Sequence, residues 1–234
     1  MAIQLKIQLK GITKPPVWRR LLIPDSFTFR QLHYAIQIAF EWGTEHLYQF
    51  QKQAYDHGWC IGEPEEDDIM SFFSPPITPA KKVKVRQVIE DNDLYNFVYV
   101  YDFGDDWIHQ ITVEALTDEK IKLPRCLAGK GATPPENCGG PYRYEYLKVL
   151  KAKNKHTNEE IEQLQWAFDD YSFSGAEEDE EGILQYDNPE DAGWRVFSAD
   201  AFDLDYINSC LKDFKKEEKF FDKMYNSNTK DFFE

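Results

Sequence analysis

The chain has 234 residues, 42% hydrophobic and 15% aromatic, which suits one large domain or two small ones and excludes an intrinsically disordered composition. The formal net charge is −15. That charge repels phosphate backbones and disfavours direct, non-specific nucleic-acid binding.

Much of the acidity sits in two runs, "EPEEDD" (Glu63 to Asp68) and "EEDEE" (Glu177 to Glu181), read as solvated loops. The N-terminus shows no charged segment followed by an apolar one, and no apolar run reaches the ~18–20 residues that span a bilayer. The four cysteines, Cys60, Cys126, Cys138 and Cys210, are widely spaced with no CxxC pair. A zinc ribbon is therefore excluded, and a cytoplasmic protein with reduced thiols is expected.

In chain order, "IQLKIQLKG" alternates apolar and polar residues and predicts a half-buried strand, with "VWRRLLIP" (Val17 to Pro24) paired back on it as a hairpin. Thr28 with Gln31 forms a capping box for a helix from about Phe29 to Glu41, with an apolar stripe of Leu32, Ala35, Ile36, Ala39 and Phe40 and a stop at Gly43. His33 at the stripe's edge and His46 at the next strand, "HLYQFQ", read as structural or surface histidines. Residues from about Ala54 to Pro79 read as a long loop. "KKVKVR" (Lys81 to Arg86) reads as a half-buried strand with a basic face. "LYNFVYVY" (Leu94 to Tyr101) is apolar on both faces and predicts a central strand; "DFGDD" predicts the turn, and "WIHQITVEA" the returning strand.

The stretch from Leu123 to Pro141, "LPRCLAGKGATPPENCGGP", is rich in proline and glycine and reads as an ordered irregular loop. Pro141 opens a helix, and Thr157 with Glu160 caps another. "FDLDYINSCLKDFKKEEKFFDKMY" closes the chain as helix, with Leu204, Ile207, Leu211 and Phe214 on one stripe. The fold class is α+β: a mixed or antiparallel sheet with a covering helix, a β-grasp-like N-terminal half and a mainly helical C-terminal part. The organisation is one domain over residues 1–234, with sheet and one helix in 1–120 and ordered loop and helices in 121–234.

Two segments carry candidate chemistry. In "YDFGDDWIHQITVE" strand alternation puts Trp107, His109, Ile111 and Val113 on one face. His109 reads either as a buried core histidine or as a histidine oriented by Asp102, Asp105 or Asp106 for base or metal chemistry. In the second segment Cys138 lies just before a helix N-terminus, where a thiolate gains from unpaired N–H groups. Its alternatives are a Cys–His nucleophilic pair with His109, a metal site made by Asp105, His109, Cys126 and Cys138, a disulfide, or plain burial. "GKGATPP" lacks the spacing of a phosphate-binding loop.

The blocks "PPVWRRLLIP", "LHYAIQIAFEW", "HLYQF", "YDFGDDWIHQITVE", "CLAGKGATPPENCGGP" and "FDLDYIN", in this order, resemble the pRiA-type ORF-like proteins, a family named after an open reading frame of a root-inducing plasmid. The resemblance covers about residues 3 to 210. It implies a soluble α+β protein, found on plasmids and beside mobile elements, with no established reaction. The family pattern has an acid where this chain has Asn137. Two functions follow as expectations. One is a binding or interaction module with a protein partner. The other is a metal-assisted hydrolase or thiol-dependent enzyme, in which Asp102, Asp105, His109, Glu136 and Cys138 with Cys126 hold a divalent metal that activates water.

Overall fold

A computed structural model describes residues 1–56, 58–64, 76–168, 176–178, 184–186 and 193–228. Strands β1 (Ala2–Leu9) and β2 (Trp18–Pro24) form the first hairpin, and α1 (Phe29–Ala39) follows with the Thr28–Gln31 capping box in place. Next come β3 (Tyr48–Gln51), β4 (Cys60–Gly62), β5 (Ile77–Pro79), α2 (Val85–Asn92), β6 (Asn96–Tyr101), β7 (Trp107–Thr117) and β8 (Arg125–Lys130). Helices α3 (Gly140–Lys151) and α4 (Asn158–Ala167), a short hairpin β9 (Ala176–Glu178) and β10 (Leu184–Tyr186), and helices α5 (Gly193–Val196), α6 (Leu204–Lys212) and α7 (Phe214–Asn228) complete the described chain. The class is α+β, and no helix among the described residues is long and apolar enough to cross a membrane.

The main sheet has the order β5-β4-β3-β6-β7-β1-β2-β8, antiparallel except for the pair β4–β5. Alternation in β1 buries Ile3, Leu5, Ile7 and Leu9, and alternation in β7 buries Trp107, His109, Ile111 and Val113. Strand β6 lies between β3 and β7, and every residue from Phe97 to Tyr101 is buried. The apolar stripe of α1 meets the sheet through rings: Phe29 packs 5.0 Å from Phe50 and 6.0 Å from Phe97. Such edge-to-face pairs contribute about 0.5–1.5 kcal/mol each beyond the area they bury. On the polar face Arg20 makes a bidentate pair with Glu114, at 2.6 and 2.8 Å, which accounts for that glutamate.

Three segments differ from the sequence reading. "KKVKVR" is a 3-10 turn at Ala80–Lys82 followed by the start of α2. Val83 and Val85 mimic a strand's alternation, but Val85, Val88 and Ile89 bury one helical face. The span Ala54 to Pro79 contains β4 and β5, too short to show a period, while His57 and much of the first acidic run lie outside the described residues. Of the second run, Glu177 and Glu178 belong to β9 and the rest lies outside the described residues. The loop from Leu123 to Pro141 contains β8, the edge strand beyond β2.

That edge is closed by one side chain. The Asn208 amide on α6 donates to the Cys126 carbonyl and accepts from the Cys126 N–H, both at 2.9 Å. The two bonds imitate a neighbouring strand and occupy groups that an open edge leaves for aggregation. Replacing Asn208 with Ala should therefore lower stability by about 1–3 kcal/mol, the cost of stranding a partly buried donor and acceptor. Urea denaturation measures this; an unchanged midpoint would show that water replaces the amide at no cost.

Candidate functional site

The site is built where β6 ends. Asp102 takes a left-handed φ of 55°, which aspartate tolerates better than most residues. Its Oδ1 accepts from the N–H of Gly104 at 2.9 Å and of Asp105 at 3.3 Å. Asp105 in turn reaches across to α3, where Oδ2 accepts from the N–H groups of Gly139 and Gly140 at 2.9 and 3.0 Å. Asp106 accepts the hydroxyl of Tyr55. Each aspartate of the turn thus holds a different piece of chain, and Asp102 keeps its second oxygen for the cluster described below.

His109 is fully buried between Phe40, Trp42 and Tyr99, with ring centroids 4.9, 5.4 and 5.1 Å away. Its Nδ1 lies 3.0 Å from the Trp107 carbonyl, which can only accept, so Nδ1 carries the hydrogen. Nε2 is buried with no hydrogen-bond partner among the described residues. Burial pushes the imidazole down to about 3, so it is neutral and not a poised base. Cys138 is buried just before α3, and the Gly139 and Gly140 N–H groups beside it donate to Asp105. Burial and the charge of Asp105 push the thiol up to about 12. Cys126 lies on β8 beneath α6, its thiol also raised by burial. All four cysteines are free thiols.

Glu136 is brought to the turn by two indoles. Trp42 Nε1 donates to the Pro134 carbonyl and Trp107 Nε1 to that of Glu136, each at 2.9 Å. The Glu136 side chain then turns inward, 7% exposed. One oxygen accepts from the Tyr101 hydroxyl and the other from the Gly43 N–H at 2.6 Å. The Tyr101 oxygen also accepts from the N–H groups of Glu45 and His46, at 2.9 and 3.2 Å. Burial, reinforced by the negative charge of Glu136, pushes the Tyr101 phenol far up, so it stays a neutral donor.

His46 completes the group. Its Nε2 lies 2.7 Å from Asn137 Oδ1 and 3.6 Å from Asp102 Oδ2. Asn137 Nδ2 donates to Glu45 at 3.3 Å. Among the described residues, Glu45, His46 and Glu136 are the group of metal-ligating type whose donor atoms all lie within 4.8 Å of one another. Ligands of a tetrahedral zinc ion sit about 2.0–2.2 Å from it and so about 3.5 Å from one another, and these side chains would have to draw together by up to about 1 Å to close the set. No lysine or arginine forms an ion pair with Glu45, Asp102 or Glu136 among the described residues.

Of the residues expected from sequence, the structure thus gathers Asp102 and Glu136 and sends Asp105, His109, Cys138 and Cys126 to other tasks. Glu45 and His46 were not expected. They come from the connection between α1 and β3, and the sheet register places them: Tyr48 pairs with Tyr101, so the residues before one lie beside the residues after the other. A correct pairing of "HLYQF" with "NFVYVY" was the one route to them from sequence.

The class is an α+β protein built on an eight-stranded, largely antiparallel sheet. The chain belongs to the plasmid pRiA4b ORF-3-like protein family, whose model matches residues 1–180. It is 32% identical over 176 residues, 74% of this chain and 85% of the relative, to y4hQ of Sinorhizobium fredii (strain NBRC 101917 / NGR234), which is described as uncharacterized. It is also similar to MM3350 of Methanosarcina mazei Go1, a crystal structure of a protein of unknown function. That likeness has a TM-score of 0.62 and 28% identity, covering 87% of this chain and 96% of that one.

Proposed function

We propose that this protein is a binding module rather than a catalyst, and that its recognition end is the cluster of Glu45, His46, Asp102 and Glu136 organised by a divalent cation. The observation that carries this is Glu136: a carboxylate 7% exposed whose hydrogen-bond partners among the described residues are both neutral, the Tyr101 phenol and the Gly43 amide. A buried charge without a counter-ion is costly, and a cation shared with Glu45 and His46 offsets that cost. Mixed carboxylate and imidazole donors suit manganese or zinc. Leu47 and Phe103, which follow His46 and Asp102 in the chain, are 39% and 44% exposed and offer apolar surface to a protein partner. The buried, neutral His109 and the raised Cys138 thiol support binding over hydrolysis.

Chain prepared without chelator should show Mn²⁺- or Zn²⁺-dependent thermal stabilisation, about 2.7 kcal/mol at a hundredfold excess over Kd. Glu136→Gln, which keeps shape and removes charge, should abolish the shift, and His46→Ala should weaken it. Asn137→Asp should tighten binding by adding a carboxylate beside His46. Absence of stabilisation by both ions in the wild-type chain would refute the cation. Turnover of an ester substrate that disappears with Glu136→Gln would instead establish the hydrolase.

A further inference from the structure

A second charged site lies on the helical side of the molecule. Lys151 at the end of α3, the connection Lys153–Asn154–Lys155–His156, Ile161 of α4, and Trp194 and Arg195 of α5 enclose an open, mainly polar cleft of about 450 Å³. Among the described residues the cleft is lined by basic side chains, Lys151, Lys153, Lys155 and Arg195, in a protein whose net charge is −15. Lys153 is neutralised by Glu160 at 2.5 Å. Lys151 is held in the crowd, its Nζ 3.3 Å from the Arg195 carbonyl, and burial together with the Arg195 charge lowers its affinity for a proton. Complementing the negative end of α3 explains Lys151, but Lys155 lies outside that helix.

We propose that this cleft binds a small oxyanion of the phosphate class, with Lys151, Lys155 and the Asn154 amide as its ligands. Neighbouring cations in a concave site raise the local concentration of a counter-ion even on an oppositely charged protein. The aromatic surface in the cleft does not take part. Trp194 is 5% exposed, the Arg195 guanidinium stands 4.4 Å from its ring, and the edge of His156 lies 5.2 Å away. No face is left on which a base could stack, so recognition rests on the anionic group itself.

Thermal unfolding and calorimetry with inorganic phosphate, against sodium chloride of equal ionic strength, test this on the full chain. Phosphate should raise Tm beyond chloride, and Lys155→Glu should weaken binding by about tenfold or more, the loss of one charge-assisted contact. Lys155 is exposed, so the variant should fold. The imidazole proton resonances of His156 should move on phosphate addition in the wild-type chain and not in the variant. Binding of inorganic phosphate identifies a free anion; tighter binding of a phosphate monoester identifies an organic phosphate. Equal effects of phosphate, monoester and chloride, or binding unaltered by Lys155→Glu, would overturn the assignment.

Discussion

Replacing Gly140 with Ala should destabilise the fold by several kcal/mol. Gly140 has φ +78°, and a Cβ there would lie 2.2 Å from the backbone oxygen of Asp105. The left-handed conformation alone costs an L-residue about 1–2 kcal/mol. The clash cannot be relieved by a side-chain rotation, because its partner is backbone and Asp105 is bonded to the same two N–H groups. The expected loss is about 3–5 kcal/mol, in the range reserved for broken cores and networks. Gly139 supplies the control: its φ is +90°, but its Cβ would meet the flexible side chain of Arg143. Gly139→Ala should cost only the conformational penalty of about 1–2 kcal/mol. Urea denaturation of both variants decides the point, and equal losses would show that the Asp105 contact does not matter.

Acid should destabilise the protein through two core histidines. His109 has a folded-state value of about 3 against an ordinary 6.5, and His33 is also lowered well below 6.5, each chiefly by burial. Both are neutral in the native state, and the unfolded chain takes up their protons first. The stability they permit is complete above pH 6.5 and is lost as pH falls from there towards about 3 for His109. Each contributes a slope of about 1.4 kcal/mol per pH unit, so the loss over the window is of the order of several kcal/mol. The Glu41 carboxyl, raised by burial, works weakly in the opposite sense. Unfolding free energies between pH 7 and pH 4 should therefore decline more steeply in the wild type than in His109→Phe, by about one proton's slope. Identical slopes would mean that His109 is reached by water and protonated in place.

The fold was largely readable where one rule acted alone. The alternation of Ile3 to Leu9, the Thr28 and Thr157 capping boxes and the apolar run at Val98 to Tyr101 are local statements, and all stand in the structure. Misreadings arose where two rules competed or where a partner was remote. Val83 and Val85 satisfy a strand's period by accident of a turn entering a helix. Strand β8 has few strand-forming residues and is held by β2 and by Asn208, which lies 82 positions away. The same holds for the cluster. Asp102 and Glu136 stood out because their surroundings are unusual in sequence. His46 did not, since nothing local separates it from a surface histidine; its neighbours Asp102 and Asn137 are supplied by the sheet and by a distant loop. Arg19 was passed over for a related reason. It reads as one residue of a strand, yet it is fully buried, with its guanidinium bonded to carbonyls of Trp18, Ala39, Lys130 and Gly131 and to the Thr133 hydroxyl.

The two indoles that fasten the loop of Glu136 also make the site optically visible. Trp42 and Trp107 stand 5.4 Å apart, and each gives its indole N–H to a carbonyl of that loop. Any event that shifts the loop alters the polarity around two fluorophores at once. With six tryptophans in the chain, Trp42→Phe and Trp107→Phe difference spectra isolate their contribution. Occupancy of the cluster can then be followed by emission, with no label and no knowledge of the ligand.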